Sequence, residues 1–241
     1  MTVNNKISII IPTLNEASEI GKTLAAISLF DAEVIVADGG SEDTTVEIAR
    51  SFGAVVFNAQ RGRGVQMREA ADAATGNIIW FLHADTVPSE TALSEIYQAL
   101  EDPSVVGGNF RIRFGGNSLA ARFMTWFYPL IKNIGLMYGD SGIFVRRETY
   151  EQVGGFKPLE LFEDLDLIYR LRILGKLVTL NAEIVTSSRR FEGRYFLPVF
   201  LRWVIFQCLY WFGVSPQRLA RSYYRDAKKD PDMKPKISNL R

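Results

Sequence analysis

The sequence predicts an α/β fold, with a mainly parallel central sheet flanked by helices. Three observations predict it: short β-branched runs alternate with amphipathic helical stretches, several runs are apolar on consecutive residues as strands covered on both faces are, and Gly or Pro punctuates their ends. Residues 6–11 (KISIII) are the first strand, which Pro12 is expected to stop because it lacks a backbone N–H. After the loop Thr13-Leu14-Asn15-Glu16, apolar Ile20, Leu24 and Ile27 recur at spacings of four and three, one face of a helix. Residues 33–37 form the second strand, and Asp38-Gly39-Gly40-Ser41 leads into a helix with Val46, Ala49 and Phe52 on one side and Gly53 as its C-cap. A short third strand over 54–57 precedes Arg61-Gly62-Arg63-Gly64, which opens a helix ending near Gly76. The fourth strand, 78–82, delivers His83-Ala84-Asp85 to its carboxyl end, and a helix over about 89–100 follows.

Beyond Pro103 the regular alternation stops. Residues 105–114 have strand character, 119–134 form a long aromatic helix, and 142–146 are another short strand. Residues 163–174 are amphipathic, with Leu167, Leu171 and Leu174 aligned and Gly175 ending the helix before two strand-like stretches at 177–180 and 183–187. The stretch 196–214 is almost wholly apolar and aromatic but is broken by Pro198 and Arg202. Its uninterrupted part would span only about 18 Å as a helix, against roughly 30 Å of bilayer hydrocarbon. That favours docking or interfacial contact over spanning. The charged, Pro-containing residues 226–241 read as a loosely ordered tail.

A length of 241 residues suits one α/β domain, and 47% hydrophobic with 23% charged residues supplies a sizeable core. A net charge of +1 provides no global field for nucleic acid, so any anion must be bound locally. The single cysteine, Cys208, rules out an internal disulfide. The amino terminus runs straight into a strand without a signal peptide's architecture, and a cytoplasmic protein is expected.

In an open parallel sheet, ligands bind outside the carboxyl ends of the strands, where Glu16, Asp38 and Asp85 stand. Asp38 suits a turn before Gly39-Gly40 as well as it suits a ligand, whereas Asp85, on a tight loop after an apolar strand, suits a hard cation. Arg61 and Arg63, among glycines that admit close backbone approach, suit phosphates or a solvated basic loop. Glu163 and Asp164 are adjacent acids in an apolar frame, where repulsion and desolvation raise a proton affinity and make a usable base. Asp164 is the candidate base, and the helix dipole alone accounts for Asp166. No G-x-G-x-x-G opens the first helix and no G-x-x-x-x-G-K-[ST] occurs, while one His with one Cys cannot make a common zinc site.

The segments SIIIPTLNEA (8–17), VADGGSEDTT (36–45), RGRGVQMREAADAATGNIIWFLHADT (61–86) and GDSGIFVRRETYEQVGGFKPLELFEDLDLIYRLRILGK (139–176) resemble, in their order and spacing, the family 2 glycosyltransferases. The chain also resembles a small bacterial branch of that family associated with arsenosugar biosynthesis. The resemblance implies a GT-A-type nucleotide-binding sandwich in a single domain over 1–225. Its nucleotide-binding half would cover about 1–102 and its acceptor half about 103–195, followed by the apolar helical segment.

It further implies inverting transfer of a sugar from a nucleotide-diphosphate sugar to an acceptor hydroxyl, assisted by Mn2+ or Mg2+. By position, Asp164 matches the family's base with Glu163 beside it, Asp38 matches the acid that reads the nucleotide base, and Pro12 and Glu16 match the loop around it. Arg61 matches a basic loop near the nucleotide, and Asp85 matches the last acid of the D-x-D metal motif. His83 departs from the family, which usually places an acid there near the ribose or metal, so the metal preference is open. The implied partners are the nucleotide sugar, a small-molecule, saccharide or lipid-linked acceptor, and a membrane surface or second copy at the aromatic carboxyl-terminal segment. Two rival readings stand beside it: a polyprenyl-phosphate sugar synthase at the membrane surface, and a catalytically inactive nucleotide-sugar binding protein.

Overall fold

The computed structural model describes residues 6–133, 135–189 and 196–229. Strand β1 (Ile7–Thr13) pairs in parallel with β2 (Ala32–Asp38) and β4 (Ile78–Phe81), and β2 pairs in parallel with β3 (Val55–Asn58). Between them run helices α1 (Ile20–Ile27), α2 (Thr45–Ser51) and α3 (Arg63–Ala73). Pro12 does not stop β1. Along the strand, Ile10 O faces β4 and Thr13 O faces β2, so Pro12 faces the β4 side just beyond the point where that ladder ends at Ile10 and Phe81, and its missing N–H costs no bond.

The second half completes one eight-stranded sheet in the order β3-β2-β1-β4-β7-β6-β8-β5, with β5 (Thr86–Pro88), β6 (Val105–Phe114), β7 (Ile143–Arg146) and β8 (Lys176–Thr186). β7 and β5 run against their neighbours while β6 and β8 are parallel to each other. The two stretches read separately at 177–180 and 183–187 are thus one strand, kept continuous by a register shift opposite Phe110 and Arg111. Strand β5 escapes sequence reading because three residues show no period. Helices α4 (Ala92–Ala99), α5 (Leu119–Asn133), α6 (Arg147–Gln152) and α7 (Glu163–Leu171) pack around the sheet, and α8 (Phe196–Trp211) and α9 (Pro216–Lys229) close the second half. Helix α9 carries on through Asp226–Lys229, which the sequence assigned to the tail: Ala and Lys tolerate helix, and the next strong breaker is Pro231.

Alternation along β1 builds both core layers. Ile7, Ile9 and Ile11 join Ile20, Leu24, Ile27 and Ile96 on one face, while Ile10 joins Met67, Ala70, Leu167 and Leu171 on the other. Gly108 lies where β6 meets its neighbours, and a Cβ there would stand 2.1 Å from the Val178 carbonyl oxygen, so only glycine lets the strands close.

Candidate active site

At the carboxyl ends of β1 and β2 the loops are tied together tightly. Asp38 is buried, and its carboxylate accepts hydrogen bonds from Thr13 Oγ1 (2.9 Å), Ser41 Oγ (2.5 Å) and the amides of Gly40 (2.9 Å) and Ser41 (2.8 Å). From α3, Gln66 Nε2 donates to the carbonyls of Thr13 and Ala37, 2.8 Å each, stapling the two strand ends. Asp38 therefore builds the turn at this edge, the structural alternative that its place before two glycines allowed.

A cavity of about 240 Å³ opens farther along the same edge, lined by Arg63, His83, Asp85, Asp140, Asp164, Thr186 and Ser187 at its polar end. The rest of its wall is aromatic and aliphatic, including Phe114, Met124, Tyr128, Tyr138, Phe162, Phe200, Trp203 and Phe206, except for Arg202, whose guanidinium lies 5.3 Å from the centroid of the Phe206 ring. Of the sequence-derived candidates, the structure brings His83, Asp85 and Asp164 to this cavity, with Glu163 behind it on Arg63. Pro12, Glu16, Asp38 and Arg61 are not in its lining. The strand order explains this for Asp38, because β1 stands between β2 and β4. Arg61 is exposed on the loop before α3, and the arginine that meets the carboxylates is Arg63, at the first position of that helix.

Helix α7 begins at the two acids. Its preceding residue, Phe162, has φ 60° and ψ 23°, a left-handed conformation that costs a non-glycine residue on the order of 1–3 kcal/mol. Stacking of its ring on Tyr210, centroids 4.7 Å apart, helps hold it there. Glu163 and Asp164 follow, 1% and 4% exposed. Arg63 Nε donates to Glu163 Oε1, and Arg63 Nη2 lies 3.9 Å from Asp164 Oδ2. Glu163 Oε2 is buried with no hydrogen-bond partner among the described residues. Asp164 accepts from the amides of Gly139 (2.7 Å) and Leu165 (2.8 Å). Burial first, and then the Glu163 charge, raise its carboxyl to about 6 against the pull of Arg63 and the two amides. Burial opposes the charge on Arg63, but Glu163 and Asp164 outweigh it and hold the guanidinium protonated. Asp166, by contrast, is satisfied by Lys157 (2.9 Å) and Arg170 and serves the helix.

The 3-10 turn Gly139–Ser141 supplies the opposite wall. A Cβ at Gly139 would lie 3.1 Å from His83 Nε2 and 3.4 Å from Asp164 Oδ2, so the glycine lets these two side chains close over one backbone amide. Next to it Asp140 accepts the Tyr128 hydroxyl proton, an interaction that, after burial, keeps the phenol well above its usual pKa. At the cavity's other side Arg189 Nη2 lies 3.5 Å from Asp85 Oδ2 and 3.4 Å from Glu16 Oε2, with Nη1 3.5 Å from Glu19 Oε1. The loop acid Glu16 is therefore linked to Asp85 through a guanidinium. Sequence reasoning missed Asp140 and Arg189. Asp140 carried a signal, an acid between glycines just before a strand, whereas Arg189 meets Glu16 across 173 residues with no local sign of it.

Among the described residues no group of three or more His, Cys, Asp or Glu side chains is placed to hold a metal ion alone. Asp85, one part-exposed carboxylate at a cavity mouth, nevertheless fits a hard cation that takes one or two protein carboxylates and completes its shell with phosphate oxygens and water. The three acids around Arg189 mark the same spot as one where positive charge is stabilised.

Comparison with known proteins bears on this arrangement. The model of the family described as "Glycosyl transferase family 2" matches residues 8–151. Glycosyltransferase AglE of Haloferax volcanii is 30% identical over 172 residues, covering 62% of this chain and 55% of that protein. The chain spans 47–63% of the length of this and two further curated relatives. Among solved structures, glucosyl-3-phosphoglycerate synthase from Mycobacterium tuberculosis, in complex with Mn2+ and UDP-glucose, has a TM-score of 0.60 at 23% identity, covering 88% of this chain and 80% of that one. S. aureus TarS 1-349 in complex with UDP-GlcNAc has a TM-score of 0.59 at 17% identity, covering 80% and 60%. At these identities the likeness establishes the fold, the helix-flanked, mainly parallel α/β sandwich expected from the sequence.

Proposed function

The chain belongs to glycosyl transferase family 2, and from that premise we propose that it is an enzyme that transfers a sugar from a nucleotide-diphosphate sugar to an acceptor hydroxyl with inversion at the anomeric carbon. One observation carries the reading: Asp85, at the end of β4, and Asp164, at the start of α7, face one cavity on the carboxyl edge of the sheet. The relatives named glycosyltransferase and the fold neighbours bound to UDP-sugars support it.

The nucleotide lies along the β2-β1-β4 edge, with the Asp38 loop, Pro12 and Glu16 forming its floor and Arg61 within reach of its charge. A divalent cation bound with the diphosphate would be held by Asp85 with His83 alongside, and would supply electrostatic stabilisation to the departing nucleoside diphosphate. Asp164 takes the proton of the acceptor hydroxyl as its oxygen bonds to the anomeric carbon, while the bond from that carbon to the phosphate oxygen breaks and its electron pair leaves on the nucleoside diphosphate. Burial suits Asp164 to the role of base, since with a pKa of about 6 it is ionised at neutral pH and more basic than an exposed carboxylate. Arg63 holds the Glu163 and Asp164 pair in place and prevents two buried like charges from expelling each other. The single domain over residues 1–225 belongs to this proposal.

The test is nucleoside diphosphate release from a panel of nucleotide sugars with Mn2+ or Mg2+, alongside thermal shifts by the nucleoside diphosphates. Asp164→Ala should bind and not turn over. Binding without release by the native chain would favour the inactive sugar-nucleotide binding protein instead.

A second reading, transfer to a lipid-linked acceptor at a membrane surface, is favoured by the outer face of α8. Leu197, Leu201, Ile205 and Leu209 recur every four residues and are 37–59% exposed, and Arg218 and Arg221 are exposed on the adjoining α9. Such a ridge suits a lipid surface with anionic headgroups. No helix among the described residues is long and apolar enough to cross a membrane. Flotation with anionic vesicles tests the contact, and a dimer in solution without flotation would assign the ridge to a second copy.

A further inference from the structure

Resting on the transfer reading above, we propose that Asn109 is a positioning residue for the reaction: from inside the sheet, and through Ser141, it fixes the 3-10 turn whose backbone amide holds the base Asp164. A line of hydrogen bonds runs in one direction from the sheet to the turn. Thr179 Oγ1 on β8 donates to Asn109 Oδ1 on β6 at 2.6 Å, Asn109 Nδ2 donates to Ser141 Oγ at 2.8 Å, and Ser141 Oγ donates to the Tyr138 carbonyl at 2.5 Å. A hydroxyl has a single proton, so those of Thr179 and Ser141 are committed, and the Asn109 amide satisfies both neighbours in one orientation. The last bond is the decisive one. The Tyr138 carbonyl and the Gly139 N–H belong to the same planar peptide, so fixing its oxygen also aims its N–H, which donates to Asp164 Oδ2 at 2.7 Å.

On stability grounds an amide is a poor choice for this place. Asn109 is 3% exposed on β6, between β7 and β8, and Asn is depleted in strands. Replacing buried hydrogen-bonded groups by apolar ones of the same shape is often nearly neutral. What the amide adds is direction, because an apolar side chain would fill the same space and leave the 138–139 peptide able to rock. Asn109, Thr179 and Ser141 are not in the cavity lining, so they reach the chemistry only through the turn. Its other ties come from helices: the Tyr138 hydroxyl donates to Gln207 Oε1 on α8 at 2.6 Å, and the Tyr128 hydroxyl of α5 donates to Asp140. Those bonds hold side chains of the turn, whereas the line from Asn109 ends on the peptide that meets the base. A displacement of about 1 Å in a reacting group can cost roughly 100-fold in rate, which sets the size of the effect.

The experiment follows nucleoside diphosphate release, with water as acceptor, from the nucleotide sugar that the wild-type chain consumes fastest. Asn109→Leu, close in size, should lower kcat roughly 10–100-fold while the donor KM stays within about twofold. Thr179→Val removes only the hydroxyl that orients the amide and should lower kcat roughly threefold or more, and Thr179→Ser, which restores it, should recover most of the loss. Added to Asn109→Leu, Thr179→Val should cost nothing further, because Thr179 acts through Asn109. A kcat within about threefold of wild type in Asn109→Leu, a donor KM that rises as much as kcat falls, or a Thr179→Ser variant as slow as Thr179→Val overturns the role of Asn109 and leaves the transfer reading standing. If Asn109→Leu does not fold, the Thr179 pair decides by the same criteria. If the wild-type chain releases nothing from any nucleotide sugar, the transfer reading falls and the role of Asn109 with it.

Discussion

Replacing Asp164 by Asn removes a titrating group whose charged form the folded state disfavours. Its carboxyl is raised from 3.8 to about 6, by burial first and by the Glu163 charge second. The folded pKa lies above the unfolded one, so between those values the native state holds more protons than the unfolded chain. Stability therefore falls as pH rises through that window. The full penalty, reached above pH 6, is on the order of 3 kcal/mol, and roughly half of it accrues between about pH 5 and 7.5. Glu163 shares the cluster, so the proton belongs to the pair, but Asn at position 164 abolishes its main site.

Urea unfolding of both proteins across that pH range measures the effect: wild type should lose on the order of 1 kcal/mol relative to Asp164→Asn as pH rises. In the same range wild-type kcat/KM should climb through about pH 6 as the base ionises, and the variant should retain nucleotide binding without turnover. Stability curves that stay parallel within about 0.3 kcal/mol would refute the raised proton affinity, and near-normal transfer by the variant would refute the base assignment.

Three further outcomes are expected. Arg63→Met leaves Glu163 and Asp164 buried without a cation, so it should cost about 3–5 kcal/mol by denaturant unfolding and move the acid limb of the rate profile to higher pH. Asp85→Ala should remove the Mn2+-dependent part of the thermal shift given by nucleoside diphosphates and keep the metal-independent part, as read by melting with and without the ion. Gly139→Ala sets a methyl 3.1 Å from His83 Nε2 and 3.4 Å from Asp164 Oδ2, so kcat should drop about tenfold or more with little change in melting temperature.

Much of this molecule is legible along the chain. The β1 run of consecutive isoleucines, the i, i+3, i+4 spacing in α1 and the breakers after each element announce a buried parallel sheet, because burial on two faces and helical periodicity are local properties of sequence. The acids after β4 and at the start of α7 were equally visible, and Asp85 and Asp164 do share a cavity. What local pattern cannot carry is partnership across distance. Arg63 rather than Arg61 meets the carboxylates, because α3 starts at Arg63 and Gly64 packs on Glu163, 99 positions away, with a Cβ at Gly64 lying only 3.3 Å from the Glu163 Cβ. Asp38 suited a turn as well as a ligand, and that Thr13 from the neighbouring strand takes up one of its oxygens in the turn could not be read locally.

Composition, periodicity and motif spacing thus determined that this chain folds as a helix-flanked α/β sheet with carboxylates at its carboxyl edge. Tertiary structure alone decided which of those carboxylates share a cavity, which are neutralised by Arg63 and Arg189, and that the phenols of Tyr128 and Tyr138 face inward with their protons already given away. The physical reason is that secondary structure follows from neighbours a few residues apart. Proton affinity and hydrogen-bond saturation instead depend on burial and on charges brought within a few ångströms by strands and helices distant in sequence.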